Sequence, residues 1–248
     1  MSDNRLIYEN PRVVAGYRRT TPKGLTYQEQ FCLDLIPRSD RGSVLDIGIG
    51  AGRTTAALAD AFASYVGVDY STSMVDAAKA QFPDRDLRVM DARHLQFASP
   101  FDCVVFSFNG IDYVELEDRQ RILEQIKSVL RPGGHFLYST HNLGFRAVSA
   151  WLERIWVEGM ATPLRRIRFL PRRVRNFRRQ KLDPQLGTGY VNDPGNDFAL
   201  LTLYVDIPRE LERLRSLGFR ILTTIGNSKQ AEGYDADDNW VYVLAQRR

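Results

Sequence analysis

A doubly wound α/β fold, with a mostly parallel seven-stranded sheet and helices on both faces, is what this sequence predicts. Three observations carry that prediction. Val44, Leu45 and Ile47 form a short apolar run suited to a strand covered on both faces, and Gly48, Gly50 and Gly52 follow it at every second position. Further apolar runs at 65–68 and 87–90 each end in an acid, Asp69 and Asp91. Strand-like and helix-like stretches then alternate as far as Thr140.

The elements follow in order. Residues 1–10 are polar, and 11–27 read as short helices around Pro22 and Gly24. A firmer helix spans 28–36 and stops at Pro37. The first strand is 43–46, with a helix from about 52 to 63. The second is 65–68, after which Ser71 caps a helix whose apolar face is Met74, Val75 and Ala78. The third is 87–90. The near-continuous apolar run 101–108 predicts a central fourth strand ending at Asn109-Gly110. A helix from about Glu115 carries the stripe Leu116, Ile122, Leu123, Ile126, Val129 and Leu130. Pro132-Gly133-Gly134 stops it, and 135–140 is the fifth strand. Residues 143–200 interrupt the alternation, and 198–204 reads as a strand. A helix at 208–217 and strands at 219–225 and 240–245 complete the chain.

The 248 residues suit one α/β domain, with an N-terminal helical segment 1–40 and an Arg-rich lid insertion at 143–200. The hydrophobic share of 44% is ordinary for a packed core. No apolar run is long enough to span a bilayer, and no signal-peptide pattern opens the chain. Cys32 and Cys103 are far apart and lack metal-ligand spacing, so a reduced cytoplasmic setting is expected. The net charge of +4 is local in origin: residues 165–181 hold eight Arg and one Lys with no acid, and the remaining 25 bases face 30 acids. A nucleic-acid partner does not follow from that charge.

The glycine turn fits neither common nucleotide pattern. The dinucleotide fingerprint would need glycine at position 53 or 55, which hold Arg53 and Thr55, and no Gly-Lys-Ser/Thr follows for a phosphate loop. What remains is an acid followed by G-x-G-x-G. Together with VGVDYS, VMDARHL, FDCVVFSFNGIDYV and LRPGGHFLYSTHN, the stretch VLDIGIGAGRTT resembles the class I S-adenosylmethionine (SAM) dependent methyltransferases, whose fold is Rossmann-like. The resemblance is clear over 43–142 and weaker over 204–245.

A carboxylate at Asp69, nineteen positions after Gly50, suits the two hydroxyls of an adenosine ribose. The resemblance implies that Asp91-Ala92 flanks adenine, that Asp46 orients the glycine turn, and that Gly48, Gly50, Gly52, Tyr70, Met74 and Phe108 complete the cofactor site. Chemistry is expected beyond the ends of the fourth and fifth strands, where doubly wound sheets bind ligands. There His141 is the candidate base, because histidine titrates near neutrality, and Asn109 its catalytic companion. Tyr17, Asp112, Tyr113 and Asn142 are candidate acceptor contacts, and Tyr8, Tyr17 and Tyr27 candidate covers of the site. No Asn/Asp-Pro-Pro-Tyr/Phe follows the fourth strand, Cys103 lies inside it, and no metal-binding carboxylate set ends it.

The expected activity is therefore methyl transfer from SAM to a small-molecule acceptor, most directly a hydroxyl of a sugar, glycolipid or specialised metabolite. RNA or protein methylation and non-catalytic SAM binding stand as alternatives. The arginine-rich stretch is read as a solvated lid face, a holder of an anionic acceptor, or, with Trp151 and Trp156, a membrane-surface element over 151–181.

Overall fold

The computed structural model of the chain describes residues 8–20, 23–153, 170–171, 173–193 and 200–248, without the side chains of 18–20. Helix α1 (Pro11–Thr20) and helix α2 (Tyr27–Asp34) precede the sheet. Thr26 and Glu29 form a capping box at the start of α2, each satisfying an amide that the first turn leaves open. Strand β1 (Ser43–Ile47), helix α3 (Thr55–Ala61), strand β2 (Ser64–Asp69), helix α4 (Thr72–Lys79) and strand β3 (Asp86–Val89) make the first half of the sheet. Strand β4 (Phe101–Phe106), helix α5 (Leu116–Val129) and strand β5 (Leu130–Asn142) begin the second half.

The order β3-β2-β1-β4-β5 is parallel throughout, and β10 (Trp240–Arg247) closes on β5 antiparallel, with β9 (Phe219–Gly226) beyond it. Side chains alternate between two cores, as the strand period requires. Leu45, Val104, Phe136, Tyr138 and Val243 face the core under α5 and helix α7 (Ile207–Ser216). Val44, Cys103, Val105, Leu137 and Tyr242 face the core under α2, α3 and α4. Both faces are thus covered, which is why the strands read as unbroken apolar runs.

Two departures from the sequence reading matter for the site. Strand β5 does not begin after Pro132-Gly133-Gly134. It begins at Leu130, directly after α5, and runs thirteen residues to Asn142. Among the described residues the sheet also has ten strands: the insertion adds β6 (Lys181–Asp183) and β7 (Thr188–Val191), and the strand expected at 198–204 joins them as β8 (Thr202–Val205). Among its ladder partners, His141 pairs with Trp240 of β10 on one side and with Tyr204 of β8 on the other. A strand residue has only two neighbours, and β4 pairs with β5 no further than Phe106 to Tyr138. Strand β8 therefore takes the place beside β5 that β4 has vacated.

The insertion also supplies helix α6 (Val148–Glu153), where Trp151 is buried against Val148, Val191 and Tyr204. That corrects the reading of Trp151 as a membrane-facing residue. Trp156, Arg165, Arg166, Arg168 and Arg172 lie outside the described residues. Of the remaining arginines, Arg173 is buried, while Arg175, Arg178 and Arg179 are exposed. No described helix is long and apolar enough to cross a membrane.

Candidate cofactor and acceptor site

The turn after β1 is built by backbone that L-residues avoid. Gly48 and Gly50 have φ of +69° and +53°. A Cβ at Gly48 would come within 2.9 Å of the Phe106 ring, whereas one at Gly50 would meet nothing within 4 Å. Gly50 thus leaves its backbone open to a ligand. Gly52 has another job: a Cβ there would approach the Phe82 ring to 2.8 Å, so it brings the turn against its neighbour.

Behind the turn, Asp46 is buried. Its Oδ2 accepts from the Thr54 hydroxyl at 2.6 Å and the Tyr65 hydroxyl at 2.9 Å. Burial pushes its carboxyl up to about 6, against those two hydrogen bonds. Asp46 holds the turn from beneath and does not line the cavity in front of it.

That cavity measures about 230 Å³ and lies at the C-terminal ends of β1, β2 and β4. Gly48, Gly50, Asp69, Tyr70, Met74, Asp91, Ala92 and Phe108 line it, so the structure gathers eight of the expected cofactor residues around one space. Asp69 is fixed by the Gly50 amide on Oδ2 and the Ser71 amide on Oδ1, both at 2.9 Å. Burial raises its carboxyl to about 6, with those amides pulling the other way. Asp91 is held differently. Arg93, which the sequence reading missed, grips it through its backbone amide and guanidinium and reaches on to Asp118 at 2.9 Å. Burial pushes Asp91 up, but Arg93 outweighs it and holds the carboxyl below its ordinary range.

The same cavity takes Tyr8, Tyr17 and Tyr113. Tyr27 does not join them; it is exposed, stacks on Phe31 and donates to the Gln230 carbonyl. The N-terminal residues are pinned over the site by hydrogen bonds. The Ser71 hydroxyl donates to the Tyr8 carbonyl, and the Glu9 carboxylate accepts from the Thr72 and Ser73 amides at the start of α4. Arg53 provides a second anchor. Its guanidinium pairs with the fully buried Glu29, donates to the Gly24 carbonyl and the Ser107 hydroxyl, and lies 4.8 Å from the Phe108 ring centre. Phe108 and Asn109 are the two non-glycine residues with left-handed φ among the described residues, at 56° and 58°. Such strain persists only where the surroundings enforce it. Here the Arg53 contact and the bond from the Asn109 amide to the Ser139 hydroxyl do so.

The expected chemical residues sit beside the cavity and do not line it. His141 is buried at the end of β5, and its Nδ1 lies 2.8 Å from Asp112 Oδ2, which also accepts from the His141 amide at 2.7 Å. Its Nε2 faces the Asn109 amide nitrogen at 3.5 Å. The rings of Tyr204, Trp240 and Tyr113 stand 4.7, 6.2 and 6.3 Å from the imidazole centre. Tyr113 borders both His141 and the cavity.

Asp112 is not an acceptor contact. It is fully buried, and its other oxygen is taken by Arg119 at 2.5 Å and by the Thr140 hydroxyl. Arg119, also buried, pairs at 2.8 Å with Glu210 of α7, which in turn holds Arg213 and the Tyr138 hydroxyl. Burial would raise Glu210, but the two arginines hold it below the ordinary range. Asn142 is likewise occupied: its side-chain amide donates to the Asp235 and Asp238 carbonyls and its oxygen accepts from Gly144. Arg119 and Glu210 went unread in the sequence although a signal was present. Arg119 stands in the apolar stripe between Leu116 and Ile122, and Glu210 between Ile207 and Leu214.

An acid-ended second strand facing a left-handed glycine turn, on a parallel 3-2-1-4-5 sheet closed by an antiparallel last strand, is the fold of the class I SAM-dependent methyltransferases. Residues 44–134 match the family model described as a methyltransferase domain. The chain is 39% identical over 98 residues to a cypemycin N-terminal methyltransferase from Streptomyces sp., covering 38% of this chain and 40% of that protein. It is 33% identical over 109 residues to a ubiquinone biosynthesis O-methyltransferase from Coxiella burnetii, covering 42% and 45%. The chain thus spans less than half the length of these curated relatives.

Solved structures agree in fold. A SAM-dependent methyltransferase from Clostridium acetobutylicum superposes with a TM-score of 0.63 at 14% identity, over 95% of this chain and 98% of that one. The SAM-bound amino pentose methyltransferase CalS10 from Micromonospora echinaspora gives 0.60 at 16%, over 96% and 98%. The residues fit SAM on their own geometry. Gly50 leaves room for close approach, and Asp69 keeps lone pairs for ribose beyond its two amide bonds. Among the described residues, no group of three or more His, Cys, Asp or Glu is arranged to hold a metal ion.

Proposed function

We propose that this protein transfers the methyl group of SAM to a hydroxyl of a small-molecule acceptor, a sugar, glycolipid or specialised metabolite, releasing S-adenosylhomocysteine (SAH). The observation that carries the hydroxyl reading is the His141–Asp112 pair beside the cofactor cavity. SAM supplies a methyl already activated on a sulfonium, so the protein's work is alignment and removal of a proton. Asp69 orients the ribose, Asp91 and Ala92 flank adenine, and Asp46 holds the turn through Thr54 and Tyr65. Asp112 accepts from Nδ1–H and so leaves Nε2 of His141 as the base for the acceptor hydroxyl. Tyr17 and Tyr113 form the acceptor side of the cavity.

On this reading the chain is one methyltransferase domain, with residues 143–200 as its lid. The exposed Arg175, Arg178 and Arg179 suit an anionic acceptor, through guanidinium pairing with phosphate or carboxylate, while the excess of acids over bases outside 165–181 weighs against a nucleic acid. Docking of 151–181 on a membrane surface is the weaker reading, since Trp151 is buried. The test is SAH release from SAM over pools of hydroxyl-bearing and amine-bearing small molecules. Release with the hydroxyl pools supports the proposal; release confined to amines overturns the hydroxyl assignment.

A further inference from the structure

The carboxylate that holds His141 has no freedom of its own. Asp112 is fully buried, and its two oxygens take four hydrogen bonds. A carboxylate offers about four lone-pair sites, so all of them are filled. Oδ2 accepts from the His141 amide at 2.7 Å and lies 2.8 Å from His141 Nδ1. It thus grips one residue twice, at the backbone and at the ring. Oδ1 accepts from Arg119 at 2.5 Å and from the Thr140 hydroxyl at 2.9 Å. Whatever holds Oδ1 therefore decides where Oδ2 points.

Both holders of Oδ1 trace to Arg119. Its Nη1 reaches Asp112 and, at 3.3 Å, the Ile111 carbonyl. Its Nη2 donates to the Thr140 hydroxyl oxygen at 3.1 Å, which leaves the hydroxyl proton for Asp112, and to Glu210 at 2.8 Å. Glu210 is held in turn by Arg213 and the Tyr138 hydroxyl. Burial opposes the charge on Arg119, but Glu210 and Asp112 outweigh it and hold the guanidinium above its ordinary range. Stability alone gives little reason for such a set, since apolar side chains of similar volume often serve a core as well as a buried ion pair. The other groups around the imidazole leave Nδ1 to Asp112. The Tyr204 hydroxyl is within hydrogen-bond reach of Asp193 and Asn239, the Trp240 indole N–H donates to Tyr242, and the Asn109 amide faces Nε2.

We infer that Arg119, anchored by Glu210, is a positioning residue for His141: it fixes Asp112 so that the imidazole keeps its proton on Nδ1 and presents the Nε2 lone pair to the acceptor. This rests on the reading of His141 as the base. Arg119 does not line the cavity and acts only through Asp112. Without it, Asp112 is free to turn or to take up a proton. A protonated oxygen donates where the ionised one accepted, so the imidazole proton moves to Nε2, and the ring can no longer take one from a hydroxyl there. The same chain of contacts gives α7, none of whose residues lines the cavity, a part in proton transfer through Glu210.

The experiment is nitrogen NMR of protein carrying isotope-labelled histidine, at about pH 8, where ordinary histidine is neutral. Wild type is compared with Arg119→Met, Arg119→Lys and Glu210→Gln, and His141→Gln identifies the His141 signals among the three histidines. Thermal melts establish which variants are folded. Calorimetry reads SAM affinity, and SAH release is followed with the hydroxyl-bearing pool. Wild type is expected to hold His141 as the Nδ1–H tautomer. Arg119→Met shifts it toward Nε2–H, lowers SAH release about 10- to 100-fold, the usual cost of removing a partner that orients a functional histidine, and leaves SAM affinity within about twofold. Arg119→Lys keeps the charge but not the two-armed grip, and recovers part of the Nδ1–H form. Glu210→Gln gives a smaller shift in the same direction, and carries the test if the Arg119 variants do not fold. Folded variants that keep the wild-type tautomer overturn the inference, as does wild type with its proton on Nε2. Loss of SAM affinity in step with SAH release also overturns it, because that is the mark of a merely structural role. A shifted tautomer with unchanged SAH release is a different result: Arg119 still positions the ring, and His141 is no longer the base.

Discussion

The two ends of this site are built in different ways. At the cofactor end, the three motif acids each have a partner close in sequence: Gly50 for Asp69 across nineteen positions, Thr54 for Asp46 across eight, and Arg93 for Asp91 across two. At the acceptor end, His141 reaches Asp112 across twenty-nine positions, and Arg119 reaches Glu210 across ninety-one. The first end works through backbone shape and single carboxylates. The second works through a buried chain of charges that no short motif encodes.

The comparison breaks most sharply at His141. If the acceptor end does proton transfer and the cofactor end does binding, His141→Ala lowers turnover about 100- to 10,000-fold and leaves SAM affinity within about twofold. Steady-state kinetics on the acceptor, with SAM titration alongside, reads both. Normal turnover in that variant would leave the His141–Asp112 pair a structural element.

Next in size is the charge chain. Arg119→Met leaves the fully buried Asp112 without its arginine and the fully buried Glu210 with only Arg213. Breaking such a network costs about 3–5 kcal/mol. Urea unfolding measures it, and a loss below about 1 kcal/mol would show that the two carboxyls had simply taken up protons at little cost.

The cofactor end has its own signature, in pH. Asp69 ionises near 6 in the folded chain and near its ordinary value when unfolded. The unfolded chain therefore releases this proton first. Ligand-free stability falls as pH rises from about 4 to about 6, and is flat above that. The shift corresponds to roughly 3 kcal/mol as an order of magnitude. Asp69→Asn lacks this term, so its stability relative to wild type should climb across that window and level off near neutrality. Denaturant titrations at pH 4.5, 5.5 and 7 test the slope; a constant difference would place Asp69 in water rather than in the wall of the cavity.

Smallest is the direct contribution of that carboxylate to binding. Asp69→Ala should weaken SAH by on the order of 1.5–3 kcal/mol, the value of hydrogen bonds to a charged group. Calorimetry giving an unchanged Kd would remove Asp69 from the ribose.

What was legible in the sequence follows the same division. Strand runs, the glycine turn and the acids ending β2 and β3 are written within windows of twenty residues, and the structure places them around one cavity. Asp112 and Asn142 were read as open to an acceptor because each follows or ends a central strand, where ligands usually bind. Only the fold shows that Arg119, Thr140 and His141 consume the first, and the 235–238 loop the second. Arg93 was missed because a charged residue in a turn looks solvated until its partner is known. Strands β6 and β7 were missed for a further reason. They are three and four residues long, flank a Gly/Asp/Pro-rich turn, and leave Leu182 and Leu186 exposed, so no periodic signal marks them.

The length of β5 has a mechanical consequence. Because that strand continues past the end of β4, β8, which follows the insertion, is stitched into the sheet along a seam: His141 opposite Tyr204, Asn142 opposite Val205, and the Leu143 amide bonded to the Val205 carbonyl. Lifting β8 would tear these ladder bonds and uncover the fully buried Tyr204. In hydrogen exchange, the amides of β8 would keep time with the central sheet rather than with the surface.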